Sequence, residues 1–322
     1  MIYEIPQLSG KCNQNLLNPE ESFRDAMFNS GCGTPDPIIA DGTLHRCHIE
    51  GDRRGSNNGW YVLFPDTPIS GGFGSWKTGI TNTWCAMQRH ELSQAERTLM
   101  QQRHAETHQQ RLRKVARRQD QARGKAEALW AMAEAADPQH PYLLRKSVKP
   151  HKLRQTDLWR TVHSMVLLVP MCDWDGTLHN LQAIFPFKDA TLHRDKDFLA
   201  GGRKKGLFYP LGEIVATGTL LLAEGFATGA TLFEQTQHPT LICFDCGNLK
   251  PVAIEARHCY PKIDLVIAAD NDRFTPGNPG LSKAREAAIA ARARLLSPQF
   301  APDAAGSDWN DFMNLRRTGG AQ

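Results

Sequence analysis

Two acidic clusters in the last third of the chain have the residue types and placement for metal chemistry. Leu220-Leu221-Leu222-Ala223 leads into Glu224 and then Gly225, and Ile263-Asp264-Leu265-Val266-Ile267-Ala268-Ala269 leads into Asp270-Asn271-Asp272. Both apolar runs are short, rich in Leu, Ile and Val, and bounded by turn residues, as buried strands are. Their alternation with helical patterns predicts a parallel sheet, whose sites lie at the carboxyl ends of the strands. Glu224, Asp270 and Asp272 gathered there repel one another unless a cation stands between them, and oxygen-only donors favour Mg2+ or Mn2+. Alternate side chains of an extended segment share a face, so Asp270 and Asp272 can turn together toward Glu224 on the neighbouring strand. Two ions about 3.5–4 Å apart stabilise both the attacking and the leaving oxygen of a displacement at phosphorus. The expected chemistry is metal-dependent phosphoryl transfer. A single aspartate would read equally well as a helix cap or turn former; two clusters at strand ends favour the metal.

Secondary candidates flank this trio. Asp308 and Asp311, three residues apart after the last helix, could hold an outer ligand or water. Lys283, one turn into a helix near the acidic loop, reads either as a triphosphate contact or as a surface lysine among Arg285, Arg292 and Arg294. In Lys196–Gly206, glycines beside Arg203-Lys204-Lys205 make a loop whose backbone can approach phosphates closely, or a solvated turn.

The elements that must carry these residues fall into four segments. Residues 214–322 alternate strand and helix: strands 219–224, 240–245 and 263–270, and helices 227–235, 249–257 and 280–296. Right-handed crossovers then give a mainly parallel sheet flanked by helices. Residues 138–213 mix strands (Val166–Pro170, Leu181–Phe185) with the turn Asp173–Gly176 and the basic loop. Residues 89–137 predict one long helix from Glu91 to Ala136, with Gly124 its only glycine and Asp137-Pro138 its stop. Residues 1–88 are rich in Gly, Pro and aromatics, with a strand at Trp60–Phe64, and predict a small β-rich module. Trp60 and Trp76, near Arg53, Arg54 and Lys77, either pack its core or offer stacking platforms for single-stranded bases.

Bulk properties narrow the classes. The formal net charge of +4 hides a concentration: between Arg89 and Arg160 stand 16 Lys and Arg against 8 Asp and Glu, as in chains that meet polyanions. No apolar run approaches the roughly 20 residues that span a bilayer, and no membrane partner is expected. No signal-peptide pattern opens the chain, so its eight cysteines read as free thiols in a reducing cytoplasm. Cys243-Phe-Asp-Cys246 lies on a core strand with no second pair, and His45-Arg-Cys-His48 has no partner at finger spacing; no zinc is expected. Gly71-Gly-Phe-Gly-Ser-Trp-Lys77-Thr78 has Trp76 where a phosphate-binding P-loop needs glycine, which excludes a helicase motor.

Glu224-Gly225 with Asp270-Asn-Asp272 resembles the Toprim domain, the metal-binding fold of bacterial-type primases, type IA and II topoisomerases and some nucleases. Glu224–Thr228, Gly247–Val252, Asp270–Asp272, Gly280 with Lys283-Ala284, and Asp308–Asp311 are similar to the Toprim of plasmid- and phage-encoded primases, conjugative-plasmid primases included. His140–Leu143 with Lys146, Val169-Pro170, Asp175-Gly176, Leu181-Gln182 and the Phe198–Gly206 loop agree with that group, as do Asp41–Arg46, Gly59–Tyr61 and Gly74–Trp76 near the start. The resemblance implies a Toprim catalytic domain behind an α+β primase-core subdomain. It implies a DNA-directed RNA polymerase making short primers on single-stranded DNA from nucleoside triphosphates. Glu224, Asp270 and Asp272 would hold two Mg2+ or Mn2+ ions, and Arg203, Lys204, Lys205, Lys283 and Lys146 would contact nucleotide or template. A replicative helicase as partner and a plasmid or prophage in a bacterial cytoplasm complete the expectation. A topoisomerase needs a catalytic tyrosine, and Tyr3, Tyr61, Tyr142, Tyr209 and Tyr260 have no supporting context. Two alternatives use the same residues: a Toprim nuclease with water as nucleophile, and a non-catalytic single-strand-binding accessory protein.

Overall fold

The computed structural model describes residues 18–66, 68–87, 93–159, 164–190 and 193–319. Tyr3, Cys12 and the expected helix start at Glu91 lie outside the described residues. The chain divides into two compact units, Met1–Arg111 and Leu112–Gln322, each with its own core; the four segments expected from sequence divide it more finely.

The first unit opens with a helix that the sequence reading did not expect, α1 (Pro19–Asn29). Asn18 caps it, its side chain accepting the Glu20 and Glu21 N–H groups, and Pro19 stands at the first helical position. Phe23 and Met27 bury one face of α1 against an antiparallel meander of β1 (His45–Cys47), β2 (Gly59–Phe64), β3 (Ser70–Ser75) and β4 (Thr81–Cys85). Phe23 meets Tyr61, Phe73 and Trp84 edge-on at 5.4–6.1 Å between ring centroids. The glycines of Gly71–Gly74 lie inside β3, an extended strand that turns into β4, and not in a loop leading into a helix.

Helix α2 (Gln94–Met132) follows, and the boundary between the units falls within it. In the second unit β5 (Glu134–Ala135) and α3 (Pro141–Lys146) precede β6 (Arg154–Thr156), β7 (Val166–Cys172), β8 (Leu178–Ile184) and β9 (Lys196–Phe198). Strands β5 to β9 pair antiparallel in chain order. Alternation sorts β7: Leu167, Val169 and Met171 enter one cluster with Tyr209, Phe226 and Ile242, while Val166 and Leu168 enter another with Ala126, Trp159 and Leu181.

Next come β10 (Tyr209–Leu211), β11 (Thr219–Ala223), α4 (Phe226–Thr236), β12 (Thr240–Ile242), α5 (Cys246–Cys259), β13 (Asp264–Ala268), α6 (Pro279–Ala291), β14 (Arg294–Leu296) and α7 (Trp309–Gly319). The sheet order is β10-β12-β11-β13-β14, parallel from β12 to β14 with β10 antiparallel at its edge. β11 is buried on both faces, Leu220 and Leu222 toward one core cluster and Leu221 and Ala223 toward another. The expected helix 280–296 is corrected at its end: α6 stops at Ala291, Arg292 adopts a left-handed conformation (φ 49°), and residues 294–296 pair with β13 as a strand.

Candidate active site

From β11 the chain leaves through α4 to β12 on one side; from β13 it leaves through α6 to β14 on the other. Connections diverging from two adjacent strands open a crevice at their carboxyl ends. Glu224 immediately follows β11 and Asp270 follows β13 by two residues, so the topology delivers both carboxylates to this crevice.

Local contacts fix the Asp270–Asp272 segment. Asp270 Oδ1 accepts from the Thr228 hydroxyl at 3.3 Å, and Asp272 Oδ2 accepts from the Gly280 N–H at 2.9 Å. Asn271 turns away: its amide donates to Pro298 O at 3.2 Å and accepts from the Asn278 amide at 2.8 Å. Gly280 is needed for close approach, since a Cβ there would stand 2.8 Å from Asp272 Oδ2 and 3.0 Å from Asp270 O.

The electrostatics are those of crowded acids. Burial, reinforced by Glu224, Asp308 and Asp272, pushes the Asp270 carboxyl up to about 8. Burial, then Asp272, pushes Glu224 up to about 7, with Lys196 and the Cys246 N–H opposing. Lys196, on β9, was not singled out from sequence. A Cβ on Gly225 would be 3.5 Å from its ammonium, which therefore lies over the turn that follows Glu224. Tyr142 raises Lys196 above the ordinary lysine value against the cost of burial, and Asp195, Asp270 and Asp308 raise it further. Among the described residues the buried Tyr142 hydroxyl has no hydrogen-bond partner.

Asp308 and Asp311 reach the same region through α7. The Lys146 ammonium stands 3.3 Å from Asp311 Oδ1 and 3.8 Å from Asp308 Oδ2. Burial opposes its charge, but the two aspartates outweigh burial and hold Lys146 above its ordinary value. The expected nucleotide contact is therefore engaged with the expected outer ligands. Between them Asn310, fully buried, donates to Lys146 O at 2.7 Å and to the Thr231 hydroxyl at 2.8 Å, pinning α7 to α3 and α4.

The other basic candidates are more loosely held. Lys204 lies 3.8 Å from Asp245 Oδ2 and 4.4 Å over the Phe198 ring; Arg203 folds back onto Lys205 O at 3.2 Å. Asn248 closes this loop, accepting from Gly206 N–H at 2.7 Å and donating to Leu207 O at 2.8 Å. Lys283 pairs with Glu286 at 2.8 Å on the exposed face of α6. Cys243 is a buried free thiol and Cys246 opens α5. Trp60 and Trp76 belong to the first unit.

Among the described residues no group of three or more His, Cys, Asp or Glu stands at metal-ligand spacing. The fit to a divalent ion rests instead on the donor chemistry: carboxylate oxygens only, two of them forced upward by burial and mutual repulsion, which a bound cation relieves.

Residues 219–320 match the family model described as Toprim domain. The chain is 34% identical over 301 residues to an Escherichia coli protein named DNA primase TraC, covering 89% of this chain and 27% of that one. It is 31% identical over 298 residues to a second Escherichia coli DNA primase TraC, covering 89% and 20%. It thus spans only about a quarter of the length of these relatives. Among solved structures it is similar to the RNA polymerase domain of Mycobacterium tuberculosis primase DnaG (14% identity, TM-score 0.42, 64% of this chain and 80% of that one). A DnaG primase catalytic domain bound to ssDNA gives 13% identity and a TM-score of 0.41, with 64% and 77% covered. Among the described residues no helix is long and apolar enough to cross a membrane.

Proposed function

We propose that this Toprim-bearing chain is a primase, a nucleotidyltransferase that makes short RNA primers on single-stranded DNA from nucleoside triphosphates. The observation that carries the reading is the placement of Glu224 and the Asp270–Asp272 segment at one switch-point crevice, in a chain aligned over 89% of its length with DNA primases. Glu224, Asp270 and Asp272 would hold two Mg2+ or Mn2+ ions, with Asp308 and Asp311 as outer carboxylates. When bound, such ions activate the attacking 3′ oxygen and offset charge on the departing pyrophosphate.

The protein's own groups do the remaining work. Lys196 places a buried positive charge beside the carboxylates, where it neutralises an incoming phosphate. Arg203, Lys204 and Lys205 supply an exposed cationic approach for template or triphosphate. Lys146 and Lys283 have carboxylate partners in this structure and would exchange them for phosphate oxygens. Asn310 and Asn248 act indirectly, by fixing α7 and the basic loop. Action within a bacterial cytoplasm, beside a replicative helicase, belongs to the same proposal.

Primer synthesis on circular single-stranded DNA with labelled nucleotides and Mg2+ or Mn2+ tests it, with Asp270→Asn/Asp272→Asn as the paired variant. Short products from the wild type alone are the expected result. Metal-dependent loss of labelled template without primers would replace the primase reading with a nuclease. No product with intact template would move the chain to an accessory role.

A further inference from the structure

The meander of the first unit has two unlike faces. Tyr61, Leu63 and Phe73 point toward α1 and form the core. Alternation sends Trp60 to the other face, where its directly paired neighbours are Arg46 on β1 and Gly74 on β3, with Thr81 on β4 beyond. That face is open toward the Trp60 end, where Thr81 and Thr83 are exposed and β3 offers Gly72 and Gly74, while Val62 and Ser70 farther along it are buried. The Trp60 indole lies flat in the space the glycines leave, for a Cβ on Gly74 would come within 2.9 Å of its ring and one on Gly72 within 3.9 Å. Trp76, 50% exposed, stands with its ring centroid 6.2 Å from that of Trp60 at a 37° tilt, and the Arg46 guanidinium lies 4.7 Å over Trp76.

Helix α1, behind the sheet, carries Glu20, Glu21 and Asp25 together with Arg24. Arg53 and Arg54 are exposed in the loop tied to the aromatic end, beside Glu50 and an Asp52 that is paired with Lys77. In that loop the Trp76 N–H donates to Asn58 O at 2.9 Å and Arg46 Nε donates to Asn57 O at 3.1 Å. Flat indoles with a guanidinium among them, at the open end of a sheet face with two exposed arginines at its edge, suit unpaired bases on a polyanionic backbone, and a duplex would hide those bases.

We infer that the open face of the β1–β4 sheet, centred on Trp60, Trp76 and Arg46, is a binding site for single-stranded DNA that stacks bases on the two indoles. The choice of DNA rests on the primase reading; the stacking does not. Binding here needs neither metal nor nucleoside triphosphate, so it can be read in EDTA, apart from catalysis.

The test titrates the full chain against a short fluorescein-labelled oligo(dT) and against the same backbone lacking bases. Trp76→Ala is expected to weaken oligo(dT) binding about fivefold or more and to leave abasic binding unchanged. Arg46→Gln is expected to lower the slope of log affinity against log salt by about 0.7, which Trp76→Ala does not change. An oligonucleotide carrying 5-iodouracil should photo-crosslink to the wild-type peptide containing Trp76, a result independent of how any variant folds. Crosslinks confined to residues 196–206, or equal loss of both oligonucleotides in Trp76→Ala, would overturn the inference. Primer synthesis that fails while Trp76-dependent binding persists would sink the catalytic reading alone.

Discussion

Single residues carry the chemistry, and their protonation links the site to stability. Glu224 and Asp270 have folded-state values of about 7 and about 8, above their ordinary 4.5 and 3.8. The folded chain therefore holds protons that the unfolded chain has released, and the resulting stability is complete below about pH 4 and is lost as pH climbs through 7 to 8. In EDTA the melting temperature is expected to fall between pH 5 and pH 8.5, each kcal/mol amounting to about 2–4 °C for a domain of this size. Asp270→Asn should flatten that fall, and Mg2+ should raise the melting temperature most at the alkaline end. A metal-free profile that rises with pH would contradict the crowded-acid account. The position of Glu224 and Asp270 just after buried strands was legible in the sequence, because apolar runs and the acids that end them are local signals. Lys196 was not: Arg194-Asp195-Lys196-Asp197 reads as a solvated charge run, and only pairing in another sheet brings its ammonium over Gly225.

At the scale of elements, the site depends on close packing where β13 hands over to α6 and where α7 returns. Gly280→Ala would place a methyl carbon 2.8 Å from Asp272 Oδ2, so the carboxylate or the helix start must move. The expected outcome is loss of most primer synthesis with a melting temperature within a few degrees of wild type, since the atoms crowded are those of Asp272 and Asp270 and not core side chains. Wild-type turnover in this variant would refute the positioning ascribed to the Gly280–Asp272 contact. Asn310→Ala removes both donations that tie α7 to Lys146 O and Thr231 and leaves Lys146 O only the long 3.5 Å contact from Asn314, a cost of about 1–3 kcal/mol. Chemical denaturation should show that loss, and Asn310→Asp should not restore it, because a carboxylate cannot donate. The strands β11 and β13 and the helices between them followed from apolar runs and turn residues. The end of α6 did not, because Ala291-Arg292-Ala293-Arg294 contains no glycine or proline; Arg292 takes the left-handed position itself, and pairing with β13 overrides helical propensity. Helix α1 was missed although Asn18-Pro19-Glu20-Glu21 carries a cap, a first-turn proline and first-turn acids.

Across the whole molecule, cores are partitioned more sharply than the sequence suggested. Residues 89–137 read as one basic helix or linker, yet the division at Arg111 and Leu112 cuts α2 and assigns its later half to the second unit. That half carries Ala122 and Ala126, both buried, and Ala126, Leu129 and Trp130 pack in the cluster that holds Val166, Leu168 and Phe185. Composition alone could not show this, because two small alanines in a run of Gln and Arg leave almost no hydrophobic period. A fragment of residues 112–322 keeps that cluster and the three others that enclose the parallel sheet, so it is expected to unfold in one cooperative transition. A fragment starting at residue 133 would lose Ala126, Leu129 and Trp130 from the β7–β8 face and should melt lower or aggregate. The 112–322 fragment should also retain Mg2+-dependent primer synthesis, at reduced template affinity, because every carboxylate of the site and Lys196 lie within it while Trp60 and Trp76 do not. Melting curves and primer assays on the two fragments decide this. If 112–322 folds cooperatively but cannot extend a nucleotide at any template concentration, the first unit contributes to chemistry as well as to binding.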